Sequence, residues 1–135
     1  AQTASTDFNW MTDFNLGGTY SAGADFEVLR TAVDEAKKSK AKVHVGNIFS
    51  EGRFYHFSTD NKTPWWKPWE RIGVLGCEME SYALYCNAAV LRKRALSMFT
   101  VADHFQKSGV LSPDERARGL KDMVKIAIRV AEKFA

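Results

Sequence analysis

The sequence predicts an α/β fold, and three observations carry that expectation. An amphipathic helical pattern over residues 25–38 is followed by a strand-like segment over residues 42–49. The run ALSMFTVA at residues 95–102 is nearly continuous in apolar side chains, the mark of a strand buried in a mostly parallel sheet with helices on both faces. The last segment opens on SPDE and keeps one apolar face to its end. With 135 residues at 45% hydrophobic, the chain is long enough for one domain with its own core, so residues 1–135 are expected to form a single α/β domain.

In chain order, AQTAST leads into loop chemistry at Asp13, Asn15, Gly17 and Gly18, as after the end of a strand. Phe26, Leu29, Val33 and Ala36 then recur at helical spacing, and Lys37 and Lys38 suit the negative end of the helix dipole. KVHVGNIF, residues 42–49, has the β-branched alternation of a strand, with Gly46 and Asn47 marking its end or a close backbone approach. Residues 51–69 read as a long irregular loop, in which Trp65, Trp66 and Trp69 argue against disorder. Residues 78–92 are predicted as a helix with a buried stripe of Met79, Tyr82, Ala83, Cys86 and Val90, closed by Arg92, Lys93 and Arg94. The strand expected at 95–102 delivers Asp103 and His104 at its carboxyl end, where open α/β sheets bind ligands. In the last helix Ser112 is the expected N-cap, Pro113 the first helical residue and Glu115 the capping-box partner. Leu120, Met123, Val124, Ala127, Val130, Ala131 and Phe134 form its apolar face.

Charge and cysteine usage exclude several classes. Nineteen basic against 16 acidic residues leave +3, and the nearest basic run, Lys37 to Lys42, reads as the solvated end of a helix, so no nucleic-acid partner is expected. No apolar stretch reaches the roughly 20 residues of a membrane span, and AQTASTDF lacks the layout of a signal peptide. The expectation is a soluble, cytoplasmic chain without a membrane partner. Cys77 and Cys86 are placed in one helix on opposite sides, as reduced thiols, and His44, His56 and His104 show no ligand spacing, so no metal is expected.

The chemistry concentrates between residues 73 and 103. Glu78 and Glu80 flank Met79 at the mouth of a helix, where acids stabilise the dipole; for Glu78 that role and a ligand role are both open. Glu80 is read as part of a buried turn, where a carboxylate needs hydrogen-bond donors, and a pair of sugar hydroxyls supplies two. Met79 is core, or an unbranched thioether against the flat underside of a ribose. Asp103, at a strand end in an apolar setting, is either a turn or cap residue or a carboxyl disposed to hold and deliver a proton. Arg116 opposes the dipole in the first turn of its helix, a placement that a salt bridge to Asp114 or Asp103 would resolve. Phe54, Tyr55 and Phe57 pack the long loop to the body of the protein or offer a surface on which a base stacks.

Five collinear segments, residues 24–37, 45–50, 73–81, 100–104 and 115–127, resemble the purine nucleoside phosphorylases of the bacterial, hexamer-forming type. The resemblance implies a mixed-sheet α/β/α sandwich, here as a partial domain covering the C-terminal half of such an enzyme. It implies that Phe54 stacks on the base, that Cys77 and Glu78 line the base and sugar pocket, that Met79 packs on the ribose and that Glu80 binds its 2′ and 3′ hydroxyls. Asp103 would protonate purine N7 with the help of Arg116. The implied reaction is attack of inorganic phosphate, the co-substrate, on the anomeric carbon of a purine nucleoside, with no cofactor. The half of the family that carries the glycine-rich phosphate loop has no counterpart in these residues, and Gly17, Gly18, Gly73 and Gly76 do not form one. The expected partners are further copies of the chain or a complementary N-terminal chain. Ala102 stands where the family usually has Ser, and TPWWKPW at residues 63–69 is an insert placed to reshape the lid over the base. A uridine phosphorylase, a methylthioadenosine nucleosidase and an inactive nucleoside-binding module are the alternatives; the TVAD sequence favours a purine.

Overall fold

The computed structural model describes residues 1–39, 41–53, 63–106 and 111–135. They form two packing units, Ala1–Asp25 with Val45–Ser97 and Phe26–His44 with Met98–Ala135. Among the described residues no helix is long and apolar enough to cross a membrane.

The first unit is organised on a four-stranded mixed sheet of order β2-β1-β3-β4: β1 (Thr3–Thr6), β2 (Ala22–Gly23), β3 (Asn47–Ser50) and β4 (Cys77–Glu78). The pairs β1–β3 and β3–β4 are parallel, and β2 runs antiparallel to β1. Thr6 stands opposite Ser50, and Ser50 opposite Glu78, so three parallel strands end together. Between β1 and β2 lies a short helix α1 (Trp10–Asp13).

One sheet face carries Ala4 and Ile48, which pack with Ala22 against Tyr82, Tyr85 and Cys86 of helix α4 (Ser81–Val90). The tyrosines are buried by their rings, yet each hydroxyl has a partner, as buried phenols require. Tyr82 Oη donates to the Tyr20 carbonyl at 2.8 Å; Tyr85 Oη donates to the Ala1 carbonyl at 2.7 Å and accepts from Ser97 N–H at 3.0 Å. Side chains alternate along a strand, so Phe49 faces the other way. There Trp69 of helix α3 (Lys67–Arg71) stacks on it with centroids 4.0 Å apart, and Trp65 tilts against it at 6.3 Å. The tryptophan-rich segment is thus an ordered cover for β3. Gly46 answers to a close approach, since a Cβ there would lie 2.8 Å from Leu75 Cδ1.

The second unit pairs α2 (Phe26–Lys37) with α5 (Pro113–Glu132), burying Ala32 and Ala36 on the first and Ile126 and Val130 on the second. α5 starts as its sequence specifies. Ser112 Oγ accepts from Glu115 N–H at 3.3 Å, Glu115 Oε2 accepts from Ser112 N–H at 2.8 Å, and Pro113 opens the helix. Glu35, with a side chain 4% exposed, takes Lys133 at 2.6 Å and Lys38 at 2.7 Å. Those two lysines, Lys133 foremost, hold its carboxyl well below the usual range, at about 2.

Several expectations are corrected. Residues 95–102 form no strand, because their backbone groups bond elsewhere: Ala95 C=O accepts from Asp25 N–H at 3.0 Å, and Ser97 N–H is taken by Tyr85. Nor is the run buried as a central strand would be: Phe99 is 44% exposed and Val101 70%. The predicted helix at 78–92 is Ser81–Val90, with Cys77 and Glu78 in β4; the two cysteines therefore sit in different elements, both as free thiols. Met79 and Val90 are exposed, while Tyr85, at 1%, is the most buried residue of the helix together with Ser81. The strand predicted at 42–49 is Asn47–Ser50. On α5, Leu120 and Val124 are exposed and Ile126 takes their place in the core.

Candidate functional site

The parallel strand ends of the first unit converge on an open cleft of about 220 Å³, lined by Thr6, Phe8, Trp10, Ser50, Glu51, Gly52 and Met79. Side chains just beyond parallel strands are aimed outward without ladder partners, which makes this edge of an α/β sheet the usual place for a ligand. The loop after β1 is tied to the loop after β3 by Gly52 N–H, which donates to Asp7 Oδ1 at 2.7 Å. Glycine suits that closure: a Cβ would lie 3.2 Å from both Asp7 Oδ1 and Phe8 Cδ2.

The two acids around Met79 have different surroundings. Glu78 Oε2 accepts the backbone N–H of Glu80 and of Ser81, each at 2.8 Å, and so closes two donors at the start of α4. Its Oε1 is buried without a hydrogen-bond partner among the described residues. Glu80 is exposed, contrary to the buried turn expected for it; the burial begins one residue later, at Ser81. Glu80 Oε2 accepts from Met79 N–H at 3.3 Å. An exposed carboxylate at the mouth of a helix is available to a ligand, while Glu78 is partly committed to the fold.

Cys77 donates to Glu51 Oε2, with sulfur and oxygen 3.9 Å apart. Although part of the residue meets solvent, burial of the thiol, and then the negative charge of Glu51, push it up to about 11. A thiol so placed stays protonated and is a hydrogen-bond donor, not a nucleophile. Glu51 itself is 6% exposed.

In the second unit Arg116 Nη2 lies 3.3 Å from Asp103 Oδ1, which resolves the cation in the first turn of α5. Arg116 Nε also donates to the Leu111 carbonyl at 3.1 Å, fixing the guanidinium plane. The apolar setting expected for Asp103 is absent, its side chain being 59% exposed. Cys77, Glu78, Met79 and Glu80 therefore stand together in the first unit, and Asp103 and Arg116 together in the second. Phe54, expected to stack on a base, lies outside the described residues, as do Tyr55 and Phe57. Among the described residues no three His, Cys, Asp or Glu side chains are grouped as metal ligands.

The family model described as "Phosphorylase superfamily" matches residues 12–135. The chain belongs to this superfamily. Relatives of this phosphorylase-superfamily chain include the "Purine nucleoside phosphorylase DeoD-type" of Geobacillus kaustophilus (strain HTA426), 38% identical over 131 residues, covering 97% of this chain and 53% of that protein. The protein of the same name from Aliivibrio salmonicida (strain LFI1238) is 39% identical over 115 residues, covering 85% and 47%. That from Clostridium beijerinckii (strain ATCC 51743 / NCIMB 8052) is 37% identical over 134 residues, covering 99% and 55%. The chain spans about half the length of the curated relatives it matches.

The superfamily chain also brings to its cleft residues that sequence reasoning passed over: Thr6, Phe8, Trp10, Ser50, Glu51 and Gly52. Their signal was available. TAST and NIFS are each followed at once by a polar or charged residue, and the rule that sends ligands to strand ends applies to them as it does to Asp103.

Proposed function

We propose that this chain supplies the nucleoside-binding part of a purine nucleoside phosphorylase, which splits purine ribonucleosides or deoxyribonucleosides with inorganic phosphate into free base and pentose 1-phosphate. The observation that carries the reading is Met79, a flat-packing thioether in the lining of a cleft at the strand ends, flanked by two carboxylates of which one remains exposed. The names of the relatives support the same reading. Glu80 takes the 2′ and 3′ hydroxyls, Cys77 and Glu78 line the pocket, Met79 packs on the sugar and Phe54 stacks on the base.

The purine leaves poorly as an anion, so bond cleavage needs a proton at N7. Asp103 delivers it, and Arg116 positions the carboxyl and stabilises the charge left behind. Phosphate, attacking the anomeric carbon of an oxocarbenium-like state, is held by groups outside these 135 residues. Those groups come from a further copy of the chain or from a complementary chain, and the enzyme works in the cytoplasm. Titration with inosine tests the nucleoside half. The chain binds inosine, and Glu80→Ala weakens binding about tenfold or more, the scale of a charge-assisted hydrogen bond lost. Binding unaffected by that change overturns the ribose assignment.

A further inference from the structure

Residues 98–102, MFTVA, belong to no sheet, yet they keep the pattern of a strand. Phe99 and Val101 are exposed while Met98, Thr100 and Ala102 are half-buried, the alternation of side chains that point to opposite faces. Phe, Thr and Val are also residue types suited to a pleated surface. The inner face is held on α5. Thr100 Oγ1 donates to Met123 Sδ at 3.8 Å, and Gly119 lets the helix come close, since a Cβ there would lie 2.9 Å from Thr100 Cγ2. The outer face is left apolar. Among the described residues the backbone N–H and C=O groups of Met98, Phe99, Thr100 and Val101 bond to no other protein group. A row of such groups beside exposed apolar side chains is a template for a further strand.

We propose that residues 98–102 are a self-pairing edge, at which two copies of the chain join by antiparallel strand addition centred on Thr100. In that register the segment is its own complement. Thr100 stands opposite Thr100 of the second copy, Phe99 opposite its Val101, and Val101 opposite its Phe99. Aromatic against β-branched and Thr against Thr are favourable cross-strand neighbours. With Phe99 and Val101 as the hydrogen-bonded pairs, each exchanging both of its N–H···O bonds, the ladder uses only backbone groups that have no partner in the single chain. The exposed Phe99 and Val101 of both copies then share one face and cover each other. No charged residue lies within the paired segment, so nothing in it repels a second copy. The contact is isologous and closes on itself, which makes the product of this edge a dimer. None of these residues lines the cleft at the strand ends, so the inference stands apart from the nucleoside reading.

The test is sedimentation equilibrium of the full chain and of two double variants, Phe99→Lys with Val101→Lys and Phe99→Lys with Val101→Glu. In the proposed register the first sets ammonium against ammonium at both pairs, and the second sets ammonium against carboxylate at both. The two variants replace the same exposed residues, so an effect on the fold that they share cancels in the comparison. The unaltered chain sediments as a dimer, and the Lys/Lys variant dimerises about tenfold or more weakly than the Lys/Glu variant. A monomeric unaltered chain overturns the proposal. Equal association of the two variants overturns it as well, because residues 99 and 101 then do not face each other across an interface.

Discussion

Glu78 reaches across the mouth of α4 to Ser81, its Oε2 accepting the Ser81 backbone N–H at 2.8 Å and that of Glu80 at the same distance. One carboxylate thus closes two of the donors that a helix start leaves open, while the carboxylate two residues on stays exposed. Of the two acids around Met79, Glu78 is bonded into the fold and Glu80 is left exposed.

That division is measurable. Glu78→Ala should cost about 1 kcal/mol of stability, the scale of a lost helix cap, in urea denaturation. Glu80→Ala should leave stability within about 0.5 kcal/mol and act on nucleoside affinity instead. Exchanged outcomes would reverse the two roles.

The ion pair of Asp103 and Arg116 is half-exposed on both sides, so it contributes less than about 1 kcal/mol to stability. Asp103→Asn should therefore leave the melting temperature nearly unchanged. Phosphorolysis by the completed enzyme should fall about a hundredfold or more, as when a general acid is removed. A large drop in stability with activity retained would make the pair structural.

How much of this was legible follows from what each residue type dictates. Helices α2 and α5 could be read because their periodicity and, at Ser112–Glu115, their capping chemistry are local properties. Residues 95–102 were misread because apolar character fixes neither burial nor the backbone partner: Val101 is 70% exposed, Asp25 N–H bonds the Ala95 carbonyl and the Tyr85 hydroxyl takes the Ser97 N–H. The exposure of Glu80 and the burial of Glu51 depend on which strand ends meet, a long-range fact that no window of sequence holds. The sequence shows two acids around Met79 at a helix start, but not that one is bonded into that start and the other exposed.

Glu35 gives the second unit an acid-sensitive clasp. Its carboxyl is held at about 2, first by Lys133 and then by Lys38, below the ordinary glutamate value of roughly 4.3. A carboxyl lowered on folding stabilises the folded state above its unfolded value, and that contribution is lost as pH falls through the folded one. The stability gap between the unaltered chain and Glu35→Gln should therefore close between about pH 4.5 and pH 2. A gap that stays constant over this window would show the clasp to be energetically silent.

Helix α4 ends with Arg92 in the left-handed region, φ +52°, where its N–H reaches the Ala89 carbonyl at 3.0 Å and Lys93 N–H reaches that of Ala88 at 2.8 Å. Glycine is the residue suited to this position. Arg92→Gly should raise stability by about 0.5–1 kcal/mol, the left-handed strain removed less the added freedom of the unfolded chain. Destabilisation would mean that the Arg92 side chain contributes packing that outweighs the strain.

The central claim is that these 135 residues hold the nucleoside and deliver the proton but do not hold phosphate. Release of hypoxanthine from inosine, followed with and without phosphate, tests it most directly. The chain should be assayed alone and mixed with the N-terminal half of a DeoD-type relative. No turnover by the chain alone, and phosphate-dependent turnover in the mixture that Asp103→Asn abolishes, is the predicted result. Phosphate-dependent turnover by the chain alone would contradict the claim.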